Sequence, residues 1–222
     1  MKKIVISLWA LFAVVSGWAQ NPYLPLWEHL PDGEPRVFED PDQPGKYRAY
    51  IIGSHDLTYT AYCSGDIRMW SAPVEDLSQW RDEGILFSWF VDGQWDTMYA
   101  PDLVEVRDRA TGKKTYYLYP HSRGRGRVAT VCKSDRPDGP FTYCGRIMEP
   151  VIGWTTHHSI VEYHGKWYLF YHDCELSGGI NHRRCVKFTE LKIREDGTIE
   201  TIRPYEGQDP APDYIGTGRS DY

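Results

Sequence analysis

The sequence predicts an all-β protein of the β-propeller type, built from repeated four-stranded units of which three are readable. Three observations predict it. First, three stretches share one order of features: polar residues, a short apolar strand, a turn bearing Gly and Lys, then an aromatic-rich strand. They run over Asp32–Asp56, Ala100–Ser122 and His157–Asp173. Second, each is followed by another strand–loop–strand pattern, over Met69–Leu86, Val128–Ile147 and Cys185–Ile202. Third, past the first nineteen residues no segment carries a long apolar period of 3.6, so helices are expected to be few.

Taken in order, the chain opens with "MKKIVISLWALFAVVSGWA". Two lysines, an apolar run from Ile4 to Val15, and the small residues Gly17 and Ala19 form the layout of a secretory signal peptide. The run is too short to span a bilayer. Cleavage is expected after Ala19, which makes the mature chain secreted or periplasmic and leaves residues 20–222 as a single domain.

The first unit places "RVF" and "KYRAYII" on either side of a Pro/Gly turn, then "MWSAP" and the strand ending in "EGIL". The second carries "LVEV" and "TYYLYP", then "VATVC" and "FTYCGRI". The third carries "SIVEY" and "KWYLFYH", then "CVKFTEL" and "GTIETI". Short alternating runs bounded by turn residues indicate antiparallel hairpins. Four-stranded units repeating at roughly 45–65 residues are the signature of propeller blades.

That architecture has a functional consequence. The innermost strand of each blade starts near the central axis, so polar residues just before it converge. Here they are Asp32 and Glu34, Asp102, and His157 with His158. Adjacent residues of a strand point to opposite faces, His164 falls in a hairpin turn, and His172 lies at the far end of the next strand. A compact four-histidine zinc site is therefore the least favoured reading. Trp95 and Trp154 precede the second and third inner strands and can reach the centre. Of the neighbours Arg183 and Arg184, one is expected to face the site. Carboxylates, histidines and aromatic rings around one axis suit a carbohydrate, whose C–H faces stack on rings while its hydroxyls take hydrogen bonds.

Composition narrows the partners. The formal charge is −6, and loss of Lys2 and Lys3 takes it to −8. Such a chain is a poor ligand for nucleic acid, and no mature segment can span a membrane. Of five cysteines none stands in a C-x-x-C pair, which excludes the common zinc-ribbon and redox motifs.

The stretches "NPYLPLWEHLPDGEPRVF…YIIGSHD", "MYAPDLVEV…TYYLYP", "SDRPDGPF" and "HHSIVEYHGKWYLFYH…NHRRCVKFTELKIREDGTI" resemble glycoside hydrolase family 43. The resemblance covers nearly all of residues 20–222. It implies a five-bladed propeller that hydrolyses arabinofuranosyl, xylosyl or galactosyl linkages of plant polysaccharides with inversion. It also implies three acids. Glu34, before Pro35, resembles the general base. His157 resembles the axial histidine, which holds water or, in some members, Ca²⁺; no other cofactor is implied. Asp32, Trp95, Asp102, Trp154, His157 and Arg184 are the expected sugar contacts.

The departure from the family is equally specific. No blade opening matches the family's second Asp or its general acid Glu. Glu149 is the substitute the sequence offers, although it follows a strand end. About two blades, roughly 100 residues, are expected to be missing between Thr130 and Trp154. Little hydrolysis is expected from the chain alone, and a non-catalytic sugar-binding remnant is the alternative reading.

Overall fold

The computed structural model describes residues 23–57, 62–91, 94–95, 97–122, 129–154 and 156–220. The expected signal-peptide stretch and its expected cleavage point lie outside them. Three antiparallel sheets carry the fold. The first pairs β1 (Glu34–Glu39), β2 (Tyr47–Ser54), β3 (Asp66–Pro73) and β4 (Arg81–Ser88) in chain order. A two-stranded ribbon of β5 (Phe90–Val91) and β6 (Gln94–Trp95) leads to the second sheet. That sheet is β7 (Met98–Arg107), β8 (Lys114–Ser122), β9 (Thr130–Ser134) and β10 (Thr142–Arg146). The third has three strands, β11 (Ser159–Tyr163), β12 (Lys166–Asp173) and β13 (Cys185–Leu191). Among the described residues the only helical element is a single 3₁₀ turn, Glu175–Ser177. No helix is long and apolar enough to cross a membrane.

Local chemistry sets the turns. His164 and Gly165 join β11 to β12 with φ of 49° and 76°. Two consecutive positive φ values are what a tight hairpin turn requires, because its twist then matches that of the strands. Between β7 and β8 the Asp108 carboxylate accepts the N–H groups of Ala110 and Thr111, and Gly112 turns at φ 73°. Aspartate makes such turns because its short side chain reaches its own backbone.

Alternation then sorts the side chains into two cores. Tyr50, Ile52, Ile67 and Met69 of the first sheet pack on Leu103, Tyr116 and Leu118 of the second. The opposite face of the second sheet sends Val104, Tyr117, Tyr119 and Val131 against Ile160, Leu169, Tyr171 and Leu191 of the third. The second sheet is thus covered on both faces, which is why "TYYLYP" reads as an unbroken apolar run rather than an alternating one. Full burial of each large side chain here contributes about 1.5–3 kcal/mol.

The innermost strands β1, β7 and β11 meet at Asp102, whose side chain is fully buried. It accepts the Ile160 N–H at 2.7 Å and the Leu103 N–H at 2.7 Å, and it pairs with the Arg36 guanidinium. Arg36 Nε also donates to the Leu103 carbonyl at 3.0 Å. One carboxylate therefore joins all three sheets at their inner edges. Three sheets of four, four and three strands, packed face to face about such an axis, form part of a β-propeller.

One expectation is corrected. Cys185–Ile202 does not form two strands of a fourth-strand hairpin. After β13 the chain makes only an isolated bridge between Ile193 and Ile199, and Ile202 pairs with Met148 of the second sheet's far end. Ile193, Ile199, Ile202 and Tyr205 pack on the second core. Burying four apolar side chains beneath the seam of two sheets outweighs extending an exposed sheet edge. The tail then runs on to bridge Ile215 with Ile152 and Arg219 with Ile180.

Candidate active site

A cavity of about 370 Å³ opens where the inner strands begin. Each sheet contributes to it. Asp32 enters from the loop before β1, in the left-handed region at φ 56°. Aspartate tolerates that conformation better than most residues. Its Oδ2 accepts the Ser54 hydroxyl at 2.7 Å, and Ser54 Oγ accepts the Ala100 N–H at 2.9 Å. Ser54 is fully buried. The end of β2 thus fixes the Asp32 carboxylate and ties it to the start of β7.

Tyr62 and Cys63 line the cavity from the β2–β3 connection, and Tyr99 and Ala100 from β7. The Cys63 N–H donates to Asp56 Oδ1 at 2.5 Å. Burial pushes the Cys63 thiol up to about 11, so it is no nucleophile at neutral pH. The Tyr99 ring stacks on His121 with centroids 4.9 Å apart.

The third sheet supplies the opposite wall: Trp154, Thr156, His157, His182 and Arg184. Trp154 N–H donates to Asn181 Oδ1 at 3.2 Å, and Gly153 N–H to the Tyr214 carbonyl at 3.0 Å. The carboxy-terminal tail therefore sets the tryptophan loop. The rings of Trp154 and His182 lie 6.5 Å apart. His157, at φ 34°, is exposed to the cavity, and its ring lies 6.3 Å from that of His172. Burial, then Arg184 and His157, hold His172 below the usual imidazole range, so it is neutral.

His158 turns the other way. It is buried, its Nε2–H donates to the Tyr119 carbonyl at 2.8 Å, and burial brings it down to about 4. Two adjacent histidines thus divide between cavity and core in the loop just before β11, where His157 turns through φ 34°. Among the described residues no group of three or more His, Cys, Asp or Glu side chains stands close enough to hold a metal ion.

Asp32, Trp154, His157 and Arg184 are brought together as expected. Three other expectations are corrected. Glu34 does not line the cavity; it sits on β1 in an ion pair with Arg36 at 3.2 Å. Glu34 is the first residue of β1, whereas Asp32 stands two positions earlier in the loop and turns there at φ 56°. Asp102 is a junction between sheets rather than a sugar contact, since backbone amides and Arg36 occupy its oxygens. Glu149 pairs with Arg146 at 3.3 Å, away from the cavity. The Trp95 side chain lies outside the described residues. Tyr62, Tyr99, Thr156 and His182 were missed. "MYAPD" and "NHRR" carried the signal: Tyr99 is the second residue of the inner strand β7, and His182 stands in the loop just before β13.

One carboxylate, three aromatic faces, imidazoles and a guanidinium around a pentose-sized cavity suit a sugar. The rings stack on C–H faces, and the polar groups hydrogen-bond hydroxyls.

No family model matches the chain. It is 53% identical over 88 residues to xylosidase/arabinosidase 43A of Humicola insolens, covering 40% of this chain and 27% of that protein. It is 49% identical over 87 residues to a β-xylosidase of Xylanibacter ruminicola, covering 39% and 27%. Among solved structures it matches a family 43 β-xylosidase/α-arabinofuranosidase from a compost microbial metagenome, a xylotriose complex in a calcium-free form. There the identity is 36% and the TM-score 0.54, over 78% of this chain and 58% of that one. A family 43 enzyme from Xanthomonas citri matches at 30% identity and TM-score 0.56, over 85% and 59%. The chain thus spans about a quarter of the curated relatives and under two thirds of the solved ones. Over that span, in sequence and in the packing of its three sheets, the chain is similar to enzymes of glycoside hydrolase family 43.

Proposed function

We propose that this chain is a secreted, sugar-binding part of a family 43 glycosidase, and that its cavity holds a terminal xylosyl or arabinofuranosyl unit of a plant polysaccharide. One observation carries the reading: Asp32, Trp154, His157 and Arg184, contributed by two different sheets, line one cavity with Tyr62 and Tyr99. Relatives named xylosidase/arabinosidase, and a Xanthomonas citri relative solved with xylose, support the choice of sugar.

Asp32 is the carboxylate placed to accept a proton from water at the anomeric carbon. Glu34 serves as its neighbour's ion-pair partner instead. An inverting hydrolase needs a second carboxyl group about 6.5–9.5 Å away to protonate the leaving oxygen. Asp32 is the only acidic residue among the described residues that line the cavity. The described chain therefore binds sugar better than it cleaves it. Calcium takes about six to eight oxygen ligands, and among the described residues no group of three or more His, Cys, Asp or Glu side chains stands around His157 to supply them.

Titration with xylose and xylotriose, followed by tryptophan fluorescence and calorimetry, tests the reading. Asp32→Asn should weaken binding about tenfold or more, as expected for a hydrogen bond to a charged group. Glu34→Gln should leave it nearly unchanged, and so should chelation with EDTA. Equal binding by the Asp32→Asn variant and the unaltered chain would refute the site.

A further inference from the structure

Asp32 ends a short segment, residues 28–32, that lies against β2 and β3. Glu28 anchors that segment. Its side chain is only 1% exposed, and donors surround both of its oxygens. Oε2 accepts the Trp70 indole N–H at 2.7 Å and stands 3.2 Å from Arg68 Nε, both on β3. Oε1 accepts the His29 N–H at 3.0 Å and lies 3.5 Å from Nε2 of His55, the residue just past β2. The other ring nitrogen of His55 is 2.7 Å from Asp66 Oδ1, which holds the imidazole turned toward Glu28. A carboxylate taken out of water needs such a set of donors. Yet Glu28, His55, Arg68 and Trp70 are not among the residues that line the cavity.

A second hold lies between Glu28 and Asp32. The Asp56 N–H donates to the His29 carbonyl at 3.0 Å. The Pro31 carbonyl then passes directly over Gly53 of β2. A Cβ on Gly53 would stand 2.5 Å from that oxygen and 2.8 Å from Leu30 Cγ. Gly53 pairs with Arg68 in the β2–β3 ladder and is not in the left-handed region. The close approach of another backbone, rather than a turn, therefore calls for glycine. Three residues separate Glu28 from Asp32. Pro31 fixes its own φ and restricts Leu30 before it. The segment is short and stiff, so a displacement at either hold is carried to Asp32.

We propose that Glu28 and Gly53 are positioning residues for Asp32: the buried anchor and the glycine seat hold residues 28–32 where the Asp32 carboxylate meets the Ser54 hydroxyl and faces the cavity. The inference rests on the reading of Asp32 as a sugar contact. The same geometry supplies a reporter that needs no sugar. Ser54 Oγ donates to Asp32 Oδ2 at 2.7 Å and accepts the Ala100 N–H at 2.9 Å. The Ala100 amide therefore registers whether Asp32 is seated.

Amide NMR spectra and xylose titrations of the same variants give the test. Glu28→Ala and Gly53→Ala should each shift the Ala100 amide as Asp32→Asn does. Each should weaken xylose binding about tenfold, the loss expected for a hydrogen bond to a charged group. In an Asp32→Asn background neither should weaken it further, because residues that act through one another are not additive. Glu28→Gln keeps an oxygen for the Trp70 indole but removes the charge facing Arg68 and His55. It should give intermediate changes, and it carries the test should Glu28→Ala not fold. Gly45→Ala, strained at φ 80° but with no atom within 4 Å of the added Cβ, should change neither reading. If the unaltered chain binds no xylose while Ala100 responds as expected, the sugar reading falls and the seating of Asp32 by Glu28 and Gly53 stands. An Ala100 amide unmoved in the folded variants, or losses of affinity that add fully to that of Asp32→Asn, would overturn the proposal.

Discussion

His157 and His158 share a sequence context and divide in role. One faces the cavity while the other is buried behind it and bonded to the Tyr119 carbonyl. Strand alternation anticipated their opposition, but both precede β11 and it is the turn at His157, φ 34°, that separates them. What alternation could not supply was which of the two faced inward. The same limit explains the first-sheet acids. Asp32 and Glu34 stand two apart in "PDGEP", and a turn through φ 56° at Asp32 decides that the first, not the second, reaches the cavity. The burial of His158 has a measurable consequence. Its folded value, about 4, lies below the ordinary ~6.5. The unfolded chain therefore takes up a proton first. Stability is fully present above about pH 6.5 and falls as pH drops toward 4, by on the order of 3 kcal/mol. Urea midpoints measured at pH 7 and pH 4.5 should show this loss. His158→Gln, which keeps an N–H for Tyr119, should flatten the profile; an unchanged slope would mean that other groups carry it.

Strands and their junctions obey a different logic. The hairpins β1–β2, β7–β8 and β11–β12 each match a stretch singled out by alternation and turn residues. Asp102, by contrast, reads as a site residue because it opens an inner strand beside the axis. It is instead the junction of β1, β7 and β11, with the Ile160 and Leu103 amides and Arg36 as donors. A residue at the axis can serve either substrate or neighbouring strands, and residue type does not distinguish them. Asp102→Ala leaves the partly buried Arg36 with Glu34 as its ion-pair partner but removes the buried one, and leaves the Ile160 amide without its acceptor. Loss of one member of a buried charged pair costs about 3–5 kcal/mol. Chemical denaturation of this variant should register a loss of that size. A loss under about 1 kcal/mol would show that water or Glu34 replaces the carboxylate.

The assembly of three sheets sets the limit on chemistry. Among the described residues Asp32 is the only acid lining the cavity, and Glu149 is held by Arg146 elsewhere. Without a proton donor the leaving oxygen departs as an alkoxide, and general acid assistance is typically worth about 10²–10⁴-fold. The purified chain should therefore turn over aryl xylosides and aryl arabinofuranosides slowly or not at all, while still binding xylose. Robust turnover that disappears in Glu149→Gln would establish Glu149 as the acid and require that the cavity reorganise around substrate.

Period-2 alternation, turn residues and the threefold recurrence of one hairpin pattern determined the all-β class and the order of the sheets. All of these are local properties, because each strand's pattern records which of its own faces is buried. The path of residues 192–219 was not legible, since packing beneath two sheets rather than local preference decides it. Nor was the choice between Asp32 and Glu34, or between Asp102 as ligand and Asp102 as junction. Those depend on where side chains from three sheets meet, and a carboxylate's role is fixed by the donors that surround it once the sheets are packed.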